Sequence, residues 1–394
     1  MLSERSAATV RATLPAVGAA IGEITERFYA QLFAAHPELL RNLFNRGNQA
    51  SGAQKQALAG SIAAFATHLL EHPEQRPDAM LGRIAHKHAS LGVAPEQYDV
   101  VHEHLFAAIV EVLGEAVTPE VAAAWDEVYW LMAHALIAIE KRLYEESGSR
   151  EPRAWEVVGR VEETADVVTF RVRPADGGPV RDFRAGQYVS VGVELADGAR
   201  QIRQYSLSGA QGESVRQFSV KRVHGGAAPD GEVSDHLHAH VREGDVLQLS
   251  EPYGDLVLDD IAGRPVLLAS AGIGVTPMVA MLAALAGDGH GAPVTVVHGD
   301  RSPADHALRA DHAAYAEKLP ESSVHFFYER DAGPGARSGL VDLTGIAVPA
   351  GTRAYLCGPL PFMRAVRAQL IEKGVAPADI HYEVFGPDLW LAQG

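Results

Sequence analysis

The sequence predicts a chain of three modules: an all-α module, then an antiparallel β-barrel, then an α/β module on a parallel sheet. Three observations carry this expectation. At 394 residues the chain is too long for one ordinary hydrophobic core. Up to about residue 147 the apolar residues recur with helical periodicity. Beyond Trp155 they fall into short β-rich runs, and from Pro265 strand-like and helix-like stretches alternate. The expected limits are 1–147, 148–258 and 259–394.

Composition narrows the function classes. Hydrophobic residues make up 47% and charged residues 21%, as in soluble globular proteins, and no apolar run reaches the ~20 residues that span a bilayer. Residues 1–10 carry Glu4 and Arg5 and lack the apolar stretch of a signal peptide. The single cysteine, Cys357, can form no intramolecular disulfide, so a cytoplasmic setting is expected. A formal net charge of −16 argues against nucleic acid or an anionic membrane as partner. Small-molecule partners and a monomer are expected. With 18 histidines, counting them locates nothing, and context has to do that.

In the first module, 97–115 and 120–146 are two long helix-periodic stretches. Thr118-Pro119 separates them, and proline suits a first helical turn. Ser147-Gly148-Ser149 ends the second as a short linker. Antiparallel packing around residue 117 puts Tyr98 about 19 residues before the turn and Glu140 about 23 after it. At ~1.5 Å per residue the two can meet, although on spacing alone a core tyrosine and a surface glutamate is the more ordinary reading. Ile21, Ile24, Phe28 and Leu32 share a helical face beside Tyr29, and Phe44, Gln54 and Leu58 follow. His88 is the best candidate for an iron-ligating histidine. His86 is a rival, directed roughly 200° away on a helix.

The barrel runs are 167–172, 188–193, 203–208 and 218–223. On the third, Arg203 and Tyr205 should share one face, with Gln204 and Ser206 on the other. A cation for a pyrophosphate, an aromatic face for a flat ring system and a hydroxyl for a ring nitrogen thus occur within four residues. Arg184-Ala185-Gly186-Gln187-Tyr188 precedes this motif, and Gly231-Glu232-Val233-Ser234 offers N–H groups to phosphate at a helix start.

In the third module a strand-like run, 266–269, leads into Gly272-Ile273-Gly274-Val275-Thr276-Pro277 and a helix-like stretch, 277–286. The glycines admit a pyrophosphate, and the helix start offers its positive dipole end. A further strand-like run, 294–298, follows, and Arg301 after it is either a solvated cation or in reach of a nucleotide 2′-phosphate. Ala354-Tyr355-Leu356 ends in the tight turn Cys357-Gly358-Pro359, and Glu383-Val384-Phe385-Gly386-Pro387 comes near the end.

Phe28-Tyr29, His36-Pro37-Glu38-Leu39, Phe44-Asn45, Asn48-Gln49, Lys87-His88-Ala89-Ser90 and Pro95-Glu96-Gln97-Tyr98 resemble, in order, the globin domain of bacterial and yeast flavohaemoglobins. The later motifs resemble the FAD and nicotinamide-nucleotide domains of the ferredoxin-reductase type, with Thr276-Pro277 the most specific. The resemblance implies an all-α globin, a β-barrel FAD domain and an α/β NAD(P)-binding domain. It implies haem b on His88, with Tyr98 and Glu140 behind the ligand and Lys87 beside it. Tyr29, Gln54 and Leu58 would line the distal side, and Phe44 would pack on the haem. FAD would be held by Tyr188, Arg203, Gln204, Tyr205 and Ser206. NAD(P)H would sit at Gly272, Ile273, Gly274, Val275, Thr276 and Pro277. Glu383 would tune the flavin, and Phe385 would cover its ring beside Val384, Gly386 and Pro387. Val384 stands where a cysteine is often found. Gly225-Gly226 and Val233-Ser234 are further apart than in the usual pattern, and 388–394 takes no assignment.

The implied activity is conversion of nitric oxide and dioxygen to nitrate at the expense of NAD(P)H. Two other classes are a haem-based oxygen or redox sensor, and a flavin reductase for external acceptors with an auxiliary globin.

Overall fold

The computed structural model describes residues 1–225 and 231–387. Residues 226–230, Gly226 among them, and 388–394 lie outside the described residues.

The first module consists of α1 (Glu4–Ala35), α2 (Pro37–Asn42), α3 (Arg46–Ala50), α4 (Ala53–Glu71), α5 (Asp78–Leu91), α6 (Glu96–Leu113) and α7 (Pro119–Ser147). Its ends follow local chemistry. The Ser3 side chain accepts from the Ser6 N–H and that of Thr118 from the Val121 N–H, both at 3.3 Å, caps worth about 1 kcal/mol each. Pro119 occupies the first turn of α7, and Gly148 ends it in the left-handed conformation at φ +75°. Ile24, Phe28 and Leu32 of α1 pack with Leu105 and Ala108 of α6 and Trp125, Val128 and Leu136 of α7.

The second module is a six-stranded antiparallel sheet. It contains β1 (Arg153–Thr164), β2 (Val167–Pro174), β3 (Tyr188–Glu194), β4 (Arg200–Ser206), β5 (Arg216–Lys221) and β6 (Val246–Leu249), ordered β4-β3-β6-β1-β2-β5. An antiparallel bridge between Leu207 and Phe218 brings the two edge strands together and curls the sheet toward a barrel. Helix α8 (Glu232–His240) covers one end. The 12-residue β1 was not among the predicted runs. Its register shifts twice, at Val157/Gly159 and at Glu162/Thr164, and such bulges break the period-two pattern. Strand β4 also starts earlier than the predicted 203, because polar Arg200 and Gln201 pair with Glu194 and Val193.

The third module is a parallel sheet of β7 (Val266–Ala271), β8 (Val294–Asp300), β9 (Ser322–Tyr328), β10 (Arg337–Ser338), β11 (Arg353–Cys357) and β12 (Ile380–Glu383), ordered β10-β9-β8-β7-β11-β12. Helices α9 (Val275–Gly287), α10 (Arg309–Glu317) and α11 (Leu360–Glu372) connect the strands. The strand order reverses between β7 and β11, the point where open parallel sheets bind nucleotides. Helix α9 is buried almost all round, and its Met278, Met281 and Leu285 join the barrel core.

Candidate functional site

Helix α5 places its two neighbouring histidines on opposite faces. The His86 Nδ1 accepts from the Gly254 N–H of the barrel at 3.0 Å, with its ring 6.5 Å from that of Tyr253. His86 is therefore part of the domain contact. His88 faces into the helical module, where its Nδ1 lies 2.9 Å from Glu140 Oε1 and 2.9 Å from the Tyr98 hydroxyl. Tyr98 donates to the same Glu140 oxygen at 2.6 Å, and Glu140 is 2% exposed. A carboxylate that accepts the Nδ1–H leaves Nε2 as the lone-pair nitrogen of His88. Burial, reinforced by Glu140, pushes the Tyr98 phenol far above its usual range.

Across the cavity, Tyr29 is buried among aromatic rings, with centroids 4.7 Å from Phe28, 5.6 Å from Phe33 and 5.9 Å from Phe44. Burial raises its phenol well above the usual value, opposed by hydrogen bonding with Gln54 and Gln49. Tyr29 is thus a neutral O–H donor. Gln54 and Leu58 line the same space.

On β4, the Arg203 guanidinium donates to the Gln201 Oε1 at 3.2 Å and to the Ile202 carbonyl at 2.8 Å. Tyr205 stacks on Phe218 at 5.7 Å. Gln204 accepts from the Lys87 ammonium and donates to Ser190 Oγ at 2.8 Å. Burial, with Arg203 nearby, outweighs the attraction of Glu383 and pushes Lys87 down to about 8. The alternation expected along β4 does not divide its residues between separate environments. All four of Arg203, Gln204, Tyr205 and Ser206 line one cavity, which wraps the edge strand. Tyr188 is buried on the neighbouring strand.

In the third module, Gly274 sits against the end of β11, where an added Cβ would overlap the Cys357 carbonyl. Gly186 performs the same service between barrel and α9, since an added Cβ there would overlap the Leu256 carbonyl. Ile273 and Thr276 reach the cavity, and Thr276 donates to the Ile273 carbonyl at 3.0 Å. Gly272, Val275 and Pro277 complete the turn without lining it. Cys357 is a buried free thiol. Glu383 closes β12 beside it in register, and Val384, Phe385, Gly386 and Pro387 continue along the cavity wall, with Phe385 46% exposed. Arg301 donates to Asp305 at 2.6 Å and to Asp166 of the barrel at 3.3 Å.

His88, Tyr98, Tyr29, Gln54, Leu58, Tyr188, the four β4 residues, Ile273, Thr276 and 383–387 border one continuous cavity of about 1440 Å³. At the helical end its walls are Phe28, Phe44, Leu58 and Leu105 with His88, which fits a flat apolar ring held by one axial nitrogen. At the barrel end Ser206 Oγ is buried with no hydrogen-bond partner, as a hydroxyl reserved for a ligand would be. In a chain of net charge −16, this end also gathers Lys87, Arg203, Lys221, Arg222 and Arg301. Such a local reversal of sign suits phosphate-bearing ligands.

Three family models match the chain in sequence order: globin over 26–136, the oxidoreductase FAD-binding domain over 155–257 and the oxidoreductase NAD-binding domain over 268–368. The flavohemoprotein of Rhizobium meliloti is 42% identical, with 99% of this chain and 100% of that protein covered. That of Bordetella parapertussis is 44% identical, with 98% and 99% covered. This chain belongs to the flavohemoprotein family. Among solved structures, the flavohemoglobin of Malassezia yamatoensis with bound FAD and heme superposes with a TM-score of 0.92 at 38% identity, covering 98% of this chain and all of that one. The FAD/NAD-binding domain of the nitric oxide dioxygenase of Vibrio cholerae is 37% identical, with a TM-score of 0.57 over 60% of this chain and 100% of that domain. As in other flavohemoproteins, oxidoreductase domains follow a globin, and among the described residues no helix is long and apolar enough to cross a membrane.

Several further residues hold the junction of this flavohemoprotein together. Gln201 is 1% exposed, and its amide donates to the Leu40, Arg41 and Phe44 carbonyls at 3.0–3.2 Å. It ties the Phe44 segment to the strand that carries Arg203. The period-two alternation that places Arg203 places Gln201 on the same face, and that is the available signal. Arg46 pairs with Asp197 at 2.7 Å and Glu232 at 2.8 Å, and Arg83 lies 4.3 Å from the Tyr382 ring centroid. These contacts join modules far apart in sequence, and no local pattern announces them.

Proposed function

We propose that this chain is an NAD(P)H-dependent nitric oxide dioxygenase that converts nitric oxide and dioxygen to nitrate. In this reading haem b is held at His88, FAD along β4 and NAD(P)H at the Gly272-Ile273-Gly274 turn, with domain limits at 1–147, 148–258 and 259–394. One observation carries the reading: a single cavity runs from His88 past Ser206 to Ile273 and Phe385, so the three groups would lie in series. The named activity of the Vibrio cholerae relative supports it. When bound, FAD turns two-electron delivery by NAD(P)H into single electrons, and haem b supplies the iron that takes them.

The chain's own residues prepare this chemistry. Glu140 holds the proton on His88 Nδ1 at 2.9 Å, which makes the imidazole a stronger donor through Nε2. Tyr98 fixes that carboxylate from the other side. Tyr29 donates a hydrogen bond to a diatomic ligand in a pocket whose apolar rings exclude water. Arg203, with the start of α8 and its Gly231 cap, neutralises a pyrophosphate, and Ser206 Oγ bonds the flavin. Phe385, at the cavity wall, would cover a bound flavin ring on the side from which the nicotinamide approaches.

The test is nitrate formation by the purified holoprotein with NAD(P)H, dioxygen and nitric oxide, beside oxygen uptake without nitric oxide. Fast nitric oxide-dependent turnover over slow basal uptake is expected. Equal NAD(P)H oxidation with and without nitric oxide would overturn the reading and favour a reductase for external acceptors.

A further inference from the structure

Away from this cavity, the α/β domain buries three histidines together. His298 lies on β8, His306 in the segment that follows and His312 on α10, with exposures of 0%, 4% and 0%. One nitrogen from each lies within 4.8 Å of the others. Two of the rings are anchored by Nδ1: His298 to Ser270 Oγ at 2.8 Å and His306 to the Tyr328 hydroxyl at 2.9 Å. The Nε2 atoms of His298 and His312 are buried with no hydrogen-bond partner. Asp300 Oδ2 stands 3.5 Å from His298 Nε2. Native interiors rarely leave two such atoms unserved in one place.

We propose that His298, His306 and His312 form a structural divalent-metal site of the zinc class, with Asp300 beside His298, distinct from the haem and nucleotide sites. In a tetrahedral zinc site with bonds of ~2.0–2.1 Å, neighbouring ligand atoms lie about 3.3 Å apart. His306 Nε2 and His312 Nδ1 share a hydrogen bond at 3.3 Å, a separation that matches an edge of that tetrahedron, and Asp300 stands 3.5 Å from His298. The His298 and His306 rings are stacked, with centroids 3.9 Å apart and planes 23° apart, and binding one ion requires one ring to turn about χ2, a soft torsion for imidazole. Ser270 and Tyr328 are outer partners of the kind that fix tautomer and ring direction in metal sites. His312 would ligate through Nδ1, the nitrogen that faces His306. Three imidazoles suit zinc or its first-row neighbours better than magnesium or calcium. The ion would clip the end of β8 to α10 and to Tyr328 of β9. The segment so fixed carries Arg301, which lines the nucleotide end of the cavity.

The experiment uses the full-length holoprotein, treated with chelator and then given zinc chloride alone. Zinc and iron are counted by emission spectrometry, and X-ray absorption is recorded at the zinc edge. The expected result is one zinc per chain beyond the haem iron, a first shell at ~2.0–2.1 Å with the scattering of three imidazoles, and a higher unfolding temperature than the chelated protein. His306→Ala, and His298→Ala with His312→Ala, should lose the zinc and keep the haem and flavin spectra. Replacing the near-surface pair His236 and His240 by alanine should leave the zinc in place. Absence of stoichiometric zinc uptake would overturn the proposal and leave a hydrogen-bonded histidine core. Zinc lost from the near-surface variant but kept in the cluster variants would do the same. Should the cluster variants fail to fold, the zinc edge of the wild type decides: fewer than three imidazoles overturns the site.

Discussion

The pocket behind His88 and the flavin side of β4 treat their polar groups in opposite ways. Behind His88, the imidazole Nδ1, the Tyr98 hydroxyl and the Glu140 carboxylate bond one another at 2.6–2.9 Å. Everything there is satisfied within the protein, and only Nε2 is left for a ligand. Along β4, Ser206 Oγ is buried and bonds to nothing, although Arg203 is partly spent on Gln201 and Ile202. The first arrangement orients a single atom before any ligand arrives. The second is completed by its ligand. The difference shows how to separate preorganisation from ligand recognition: remove a group and ask whether the protein or only the complex suffers.

The largest effect should come at the one nitrogen left over. His88→Ala should abolish haem retention, read as loss of the Soret band, while His86→Ala, on the barrel-facing side, keeps a normal spectrum. A normal Soret band in His88→Ala would break the comparison outright. Next is Tyr29→Phe on the distal side. A donor to a ligand bearing partial charge contributes roughly 1–3 kcal/mol, and ~1.4 kcal/mol is tenfold. Oxygen release followed by stopped flow should therefore speed up by about tenfold to a hundredfold, with flavin reduction by NAD(P)H unchanged. An unaltered off-rate would remove Tyr29 from the ligand's surroundings.

Two smaller effects sharpen the contrast directly. Glu140→Leu removes the acceptor shared by the Tyr98 hydroxyl and the His88 Nδ1–H. The two can still bond each other, but one buried donor is left unpaired, so thermal or urea unfolding should show about 1–3 kcal/mol lost from the globin even without haem. Ser206→Ala deletes a hydroxyl with no protein partner. The stability of the FAD-free protein should not change, whereas FAD should bind about fivefold more weakly by fluorescence titration, the equivalent of ~1 kcal/mol. If FAD-free Ser206→Ala is destabilised as much as Glu140→Leu, the two regions are not different in kind.

Much of this molecule was legible along the chain. The two longest predicted helical stretches lie within a few residues of α6 and α7, because each repeats its apolar pattern, α6 stops before Gly114, and α7 runs from Pro119 to Gly148. The Gly272-Ile273-Gly274 turn was readable because a strand, a glycine pair and a helix start follow one another without a gap. Strand β1 was not, because its bulges destroy the alternation. Nor was the role of Gln201, whose partners lie 157–161 residues away.

What the sequence determined by itself is local: the order of helical, barrel and α/β modules, their caps and turns, and the residue types present in each motif. Backbone geometry and side-chain periodicity act over a few residues, and a sequence displays them openly. What only the tertiary structure decided is which groups meet. Tyr98 and Glu140 stand 42 residues apart and Lys87 and Gln204 stand 117 apart. Spacing alone made a surface glutamate the more ordinary reading of Glu140, yet it is 2% exposed against His88. His86 and His88 differ in role although two residues separate them. Helix α5 turns one toward the barrel and the other toward the haem side, and only the packing of α5 between two domains tells which is which. Such meetings depend on how whole elements bury their apolar faces against one another, and that sum is set by the complete fold.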